Sequence, residues 1–219
     1  MRRLSPAAIG VTLLLAVTLS GCGEEKQPAP QTVTLGGTEA SANTELVSRP
    51  WGMAPRPPAM QKAQRPSDAD VAFISAMIPH HEQALRMSAL LLEHEPLDDR
   101  VRAAAEFIAA DQGLEIRTMQ SWLDAWRAEI DPPSAHHDHG AMPGMLEPAE
   151  VEALADLGSG RAQLEFLALM VRHHEGAVTM SQEYLDDAVN VFTLATAQHV
   201  IREQQVEIRY LNQVLDSLR

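Results

Sequence analysis

The chain has 219 residues, with 17 Lys and Arg against 30 Asp and Glu, a formal charge of −13 and a single cysteine. A surface this acidic, with no basic stripe, repels polyphosphates and excludes nucleic acid as a partner, while it favours cations. One cysteine excludes an intrachain disulfide.

The first residues, "MRRLSPAAIGVTLLLAVTLSGC", place two arginines before an apolar run from Ala7 to Leu19 and then small residues before Cys22. That order predicts a secretory signal peptide over 1–21, too short and wrongly flanked for a stable membrane span. Leu19-Ser20-Gly21-Cys22 resembles the bacterial lipobox. The expectation is an exported lipoprotein, anchored in the cell envelope through lipidation of Cys22. Losing Arg2 and Arg3 with the signal takes the formal charge to about −15. Residues 22–66 are rich in Pro, Gly, Ser and Thr without a sustained period and predict a flexible linker. Trp51, Met53 and Met60 are apolar residues in it that can dock on the body.

Helical periodicity begins at Ser67, which forms a capping-box pattern with Asp70 and opens a first helix over about 68–94. Its apolar series is Val71, Ile74, Ile78, Leu85, Ser88 and Leu92, and Pro79 inside it predicts a kink. Pro96 and "LDDR" open a second helix running to about Glu129, with Val101, Ala104, Ala105, Ile108, Ile116, Met119 and Leu123 as its apolar series. "DPPSAHHDHGAMPGM" breaks the helical order. A short helix over 148–157 follows, then helices over about 161–185 and 188–218. Strand-like alternation is absent. The fold class expected is all-α: a four-helix bundle domain over 67–219, with an interhairpin loop at 131–147.

The two halves are repeats. Phe73, Met77, His80, His81, Glu82, Ala84 and Met87 return 93 residues later as Phe166, Met170, His173, His174, Glu175, Ala177 and Met180. In the partner helices "IAADQGLEI" returns as "VIREQQVEI" at an offset of 92, pairing Gln112 with Gln204 and Glu115 with Glu207. On a helix, Met77 lies three and four residues before the histidines and Met87 seven after His80, so all fall near one face, although adjacent histidines diverge by about 100°.

Imidazole combined with thioether suits copper, where calcium or magnesium would call for oxygen ligands and zinc gains little from methionine. The candidate metal ligands are Met77, His80, His81, Met87, Glu115 and Met119 in the first half, and Met170, His173, His174, Met180 and Glu207 in the second. Leu211 stands where the first half has Met119. The loop adds His136, His137, His139, Met142 and Met145, which can wrap an ion without a preformed cage. Two other uses of the same residues stay open: inherited core packing, in a structural or interaction module without a metal, and a metal-dependent redox enzyme. Enzyme motifs are wanting. No histidine has a glutamate three residues before it, as a carboxylate-bridged di-iron bundle needs, and His81-Glu82 does not continue into H-E-x-x-H. Metal stoichiometry and a homodimer also stay open.

The doubled pattern resembles the bacterial family of the domain of unknown function 305. The residues that carry the resemblance are Phe73, "MIPHH" at 77–81, Ala84, Met87 and "QGLEIRTM" at 112–119, then Phe166, "MVRHH" at 170–174, Ala177, Met180 and "QQVEIRYL" at 204–211. The resemblance implies a ferritin-like four-helix bundle in an exported protein, with copper or another metal at Met77, His80, His81, Met87, Glu115 and Met119 and at Met170, His173, His174, Met180 and Glu207.

Overall fold

Ser67 and Asp70 cap one another as the sequence predicts. Asp70 N donates to Ser67 Oγ at 3.2 Å and Ser67 N donates to the Asp70 carboxylate at 2.7 Å, which satisfies two orphan donors at a helix start. The structure is a computed structural model that describes residues 46–55, 64–130 and 142–219. Cys22, the expected signal at 1–21 and the loop residues His136, His137 and His139 lie outside the described residues.

From that cap α1 runs over Asp68–Leu92, with Pro79 inside it. Helix α2, Asp99–Trp126, starts three residues later than Pro96 because Asp98 is the cap, its side chain accepting from Arg100 N at 2.9 Å. A short α3, Pro148–Glu152, passes into a 3₁₀ turn over Ala153–Asp156. Helix α4 covers Ser159–Tyr184, and α5 covers Val191–Leu218 with Asn190 as its cap. These four long helices form the bundle, so the chain is all-α.

The buried stripe of α1 differs from the expected one. Ile78, Leu85 and Leu92 are only half-buried, whereas Phe73, Met77, His80, His81, Ala84, Met87 and Leu91 join Val71, Ile74 and Ser88 inside. Counting hydrophobes alone rotates the face wrongly, because two of its innermost residues are histidines. Within the stretch read as linker there is also a hairpin that sequence periodicity did not indicate. Strand β1, Leu46–Arg49, pairs antiparallel with β2, Gly52–Pro55. Gly52 has φ 127, a conformation that a side chain would strain. Trp51 at the hairpin tip packs edge-on against Phe107 of α2 and against Tyr210 of α5.

The core consists of two apolar clusters. One gathers the C-terminal half of α1, the N-terminal half of α2, the start of α4 and the end of α5, including Leu91, Ile108, Phe166, Leu167 and Leu211. The other gathers the opposite ends, including Ile74, Trp122, Ala177 and Phe192. Each buried large side chain contributes about 1.5–3 kcal/mol. The grouping makes α1 antiparallel to both α2 and α4, so the two hairpins are related by an approximate two-fold axis across the α1–α4 seam.

A buried carboxylate ties the start of α1 to the start of α5. Asp70, fully buried, accepts from Thr193 Oγ1 at 2.6 Å, from the backbone N–H of Val189 and of Asn190 at 3.2 Å, and from Tyr184 OH. Phe73 stacks on Tyr184 with ring centroids 4.1 Å apart.

Candidate metal centre

Between the two apolar clusters the bundle interior is polar. The antiparallel seam brings the two histidine doublets to the same level: the rings of His80 and His173 lie 3.9 Å apart, centroid to centroid, tilted by 38°. The second histidine of each doublet turns toward the partner helix of its own hairpin. His81 Nε2 is 2.8 Å from Glu115 Oε2 on α2, and His174 Nε2 is 2.6 Å from Glu207 Oε2 on α5, the latter outside good hydrogen-bond directions. All four rings are fully buried. Adjacent residues about 100° apart on a helix thus do two different jobs, one facing the other repeat and one facing its own.

Each predicted methionine in a helix joins one of the two apolar clusters. Met77 and Met119 are buried in one apolar cluster with Met180 against it, and Met87 and Met170 are buried in the other. Both apolar clusters therefore contain thioethers. Leu211 is buried in the cluster opposite Met119, which makes the two sides unequal.

The described end of the loop lies over the α1–α4 seam. Pro143 O is 3.1 Å from His80 Nε2, and Gln83 clasps Leu146, donating to its carbonyl at 2.9 Å and accepting its N–H at 2.8 Å. Gly144, with φ 75, passes so close to Gly176 that a side chain on either glycine would collide with the other segment's backbone. Met142 and Met145 are half-buried in this segment.

Several ring nitrogens in the layer lack hydrogen-bond partners, among them His80 Nδ1, His81 Nδ1 and both nitrogens of His173. Leaving a buried polar atom unpaired costs about 1–3 kcal/mol, so such a concentration is unusual for a purely structural network. Burial, reinforced by the neighbouring His81 ring, pushes His80 and His174 down to about 3, and burial with the His80 ring takes His173 well below the usual imidazole range. Neutral imidazoles with unshared lone pairs are the form that ligates metals. Donor types, burial and protonation together fit a soft or borderline metal ion.

On the other side of the layer, between α2 and α5, a narrow crevice is lined by Asp111, Gln112, Glu115, Val200, Glu203, Gln204 and Glu207. His199 Nε2 lies 3.0 Å from Glu115 Oε1, so Glu115 meets a histidine with each oxygen. Burial alone would raise Glu115, but His199 and His81 outweigh it and hold it well below the usual carboxylate range. Burial and the Asp111 carboxylate push Glu207 up to about 8, which makes the His174–Glu207 contact one between neutral groups. From β1, Arg49 donates to Asp111 Oδ1 at 2.8 Å, sits 3.1 Å from Glu203 Oε1 and lies over the Phe107 ring.

His199, Asp111, Glu203 and Arg49 are missing from the sequence-derived set. The repeat offset aligns Asp111 with Glu203, so a matched acidic pair was visible there. His199, however, aligns with Phe107, and matching repeats hides a residue present in one copy only. Arg49 sits where no periodicity points.

None of the curated proteins matches this chain. Among solved structures, a fragment from Deinococcus radiodurans of the domain of unknown function 305 is 33% identical, over 70% of this chain and 99% of that one, with a TM-score of 0.63. A Streptomyces coelicolor protein of the same domain, described as a candidate secreted protein, is 31% identical over 68% of this chain and 93% of its own, with a TM-score of 0.62. CopM in its Cu(II)-bound form is 27% identical over 68% of this chain and 97% of its own, with a TM-score of 0.56, and CopM is also solved in Cu(I)-bound and Ag-bound forms. The sequence pattern of the domain matches residues 70–215, from the Asp70 hub to the last turns of α5. With the doubled doublet, the paired helices and these relatives in agreement, the chain belongs to the family of the domain of unknown function 305, DUF305.

Proposed function

We propose that the protein is an exported copper-binding protein that sequesters or passes on the ion, held at the envelope through Cys22. The observation that carries this reading is the close approach of His80 to His173 in a fully buried layer, several of whose imidazole nitrogens lack partners, between two apolar clusters that hold the methionines. Similarity to CopM, a protein solved with Cu(I), Cu(II) and Ag, supports the metal, and the candidate secreted protein from Streptomyces supports export.

In this reading His80, His81, His173 and His174 supply the nitrogen ligands. Met77, Met87, Met119, Met170 and Met180 supply thioethers that favour Cu(I), and Glu115 and Glu207 orient His81 and His174 from behind. Met142 and Met145, with His136, His137 and His139 of the loop, form an outer set that receives the ion before the core does.

The test is Cu(I) retention against a competing chelator, in tag-free protein. Replacing the four doublet histidines by alanine together is expected to abolish retention by the bundle. Deleting 136–145 should slow loading while leaving equilibrium retention in place. Unchanged affinity in the four-histidine variant would reject the site. Mass spectrometry of the mature N-terminus tests the anchor, with a diacylated Cys22 as the expected result.

A further inference from the structure

The crevice between α2 and α5 holds a second group of ligand-type residues, of which only Glu115 also meets a histidine of the doublets. One atom from each of Asp111, Glu115 and His199 lies within 4.8 Å of the other two. Bond lengths near 2.0–2.2 Å give ligand-to-ligand edges of about 3–4 Å, so a small rotamer adjustment closes the set around an ion. Beside it lies an amide with nothing to bind. Gln112 is only 3% exposed, lines the crevice, and has neither its oxygen nor its nitrogen partnered. Gln204 Oε1, on the opposite wall, is likewise unpartnered. Buried amide atoms without partners are rare, and finding them on both walls of one crevice points to a guest within it.

Charge points the same way. Asp111, Glu115, Glu203 and Glu207 crowd this face, and the cation beside them is Arg49 at 2.8 Å from Asp111 and 3.1 Å from Glu203. Carboxylates crowded this closely in a buried crevice repel one another. A divalent ion would relieve that repulsion more fully than one guanidinium.

We propose that Asp111, Glu115 and His199 form a second metal site, separate from the histidine doublets, for a borderline divalent ion such as Zn²⁺, with Gln112 beside it. One imidazole and two carboxylates without a thioether suit zinc-type ions and disfavour Cu(I). Glu115 stands between the two sites, with Oε2 toward His81 and Oε1 toward His199. Arg49, beside Asp111 and Glu203, is the resident counter-cation. Because the equivalent of His199 in the first repeat is Phe107, the repeat does not supply a second copy of the site.

The experiment titrates Zn²⁺ by calorimetry into metal-free, tag-free full chain whose loop histidines His136, His137 and His139 are alanine, so that loop binding does not contribute. Asp111→Asn and His199→Gln should each weaken Zn²⁺ binding at least tenfold and leave Cu(I) retention unchanged. Arg49→Met should tighten Zn²⁺ binding severalfold by removing the competing cation, an effect that a merely structural cluster would not give. Near-UV circular dichroism checks folding, and if His199→Gln is unfolded, Asp111→Asn carries the test at the more exposed edge of the cluster. Zn²⁺ affinity unchanged in Asp111→Asn, or lowered together with Cu(I) retention, overturns the proposal. Loss of Cu(I) binding confined to the doublet variants leaves it standing, so the two readings fail separately.

Discussion

Replacing Asp70 by Asn probes how the bundle holds its open ends together. The carboxylate takes donors from three places: the α1 cap, the end of α4 through Tyr184, and the start of α5 through Thr193 and Asn190. Burial alone would raise its pKa, but Thr193, Tyr184 and Ser67 outweigh that and hold it at about 2 against an ordinary 3.8. The difference corresponds to about 2 kcal/mol in favour of the folded, ionised form. Asn keeps one acceptor but turns an NH₂ toward existing donors, which adds about 1–2 kcal/mol for unmet groups. The expected loss at pH 7 is therefore about 3–4 kcal/mol, read by urea unfolding of the metal-free protein. Because the folded pKa lies below the unfolded one, the charge contribution is present above about pH 4 and is lost as pH falls through 2. The gap between wild type and variant should therefore shrink by about 1 kcal/mol on going from pH 7 to pH 3. A loss under about 1 kcal/mol at pH 7, or a gap independent of pH, would refute the reasoning.

Glu207→Gln should behave oppositely with pH. A carboxyl raised to about 8 by burial and neighbouring carboxylates is protonated in the folded state and ionised in the unfolded one, so its contribution fades as pH rises from about 4.5 to 8. Thermal midpoints of metal-free protein should fall across that range in the wild type and less in the variant; parallel curves would contradict the assignment. Met119→Leu copies the residue at 211 and conserves volume, so stability should change by less than about 1.5 kcal/mol, and a drop in Cu(I) affinity at constant stability isolates the thioether. Gly176→Ala places a Cβ 2.2 Å from Pro143 O and 2.3 Å from Gly144 Cα. It should cost about 1–3 kcal/mol and expose the Met142–Leu146 segment to protease, whereas an unchanged cleavage rate would mean that the segment is not held there.

Much of the bundle was legible because its signals are local. Ser67 and Asp70 announce α1, and the His-His repeat identifies equivalent faces in two hairpins. The buried stripe of α1 was harder, since a hydrophobicity count passes over His80 and His81 and substitutes Ile78 and Leu85, which lie at its edge. What joins α1 to α4 depends on the direction of packing. Spacing puts His80 and His173 on equivalent faces, but only the antiparallel seam makes those faces meet. Arg49 and His199 escaped for a further reason: one sits in a hairpin of four-residue strands too short to show a period, and the other breaks the repeat that guided the reading.

The seam itself has a mechanical consequence. The hairpins pack tightly within themselves and meet chiefly along α1 and α4, where His80 lies against His173. On the proposed function, an ion held by both rings would act as a clasp on that one line of contact, adding its binding free energy to the cohesion of the halves. Its release would then require parting one seam, with both hairpins intact, beneath the segment that Gln83 fastens to α1.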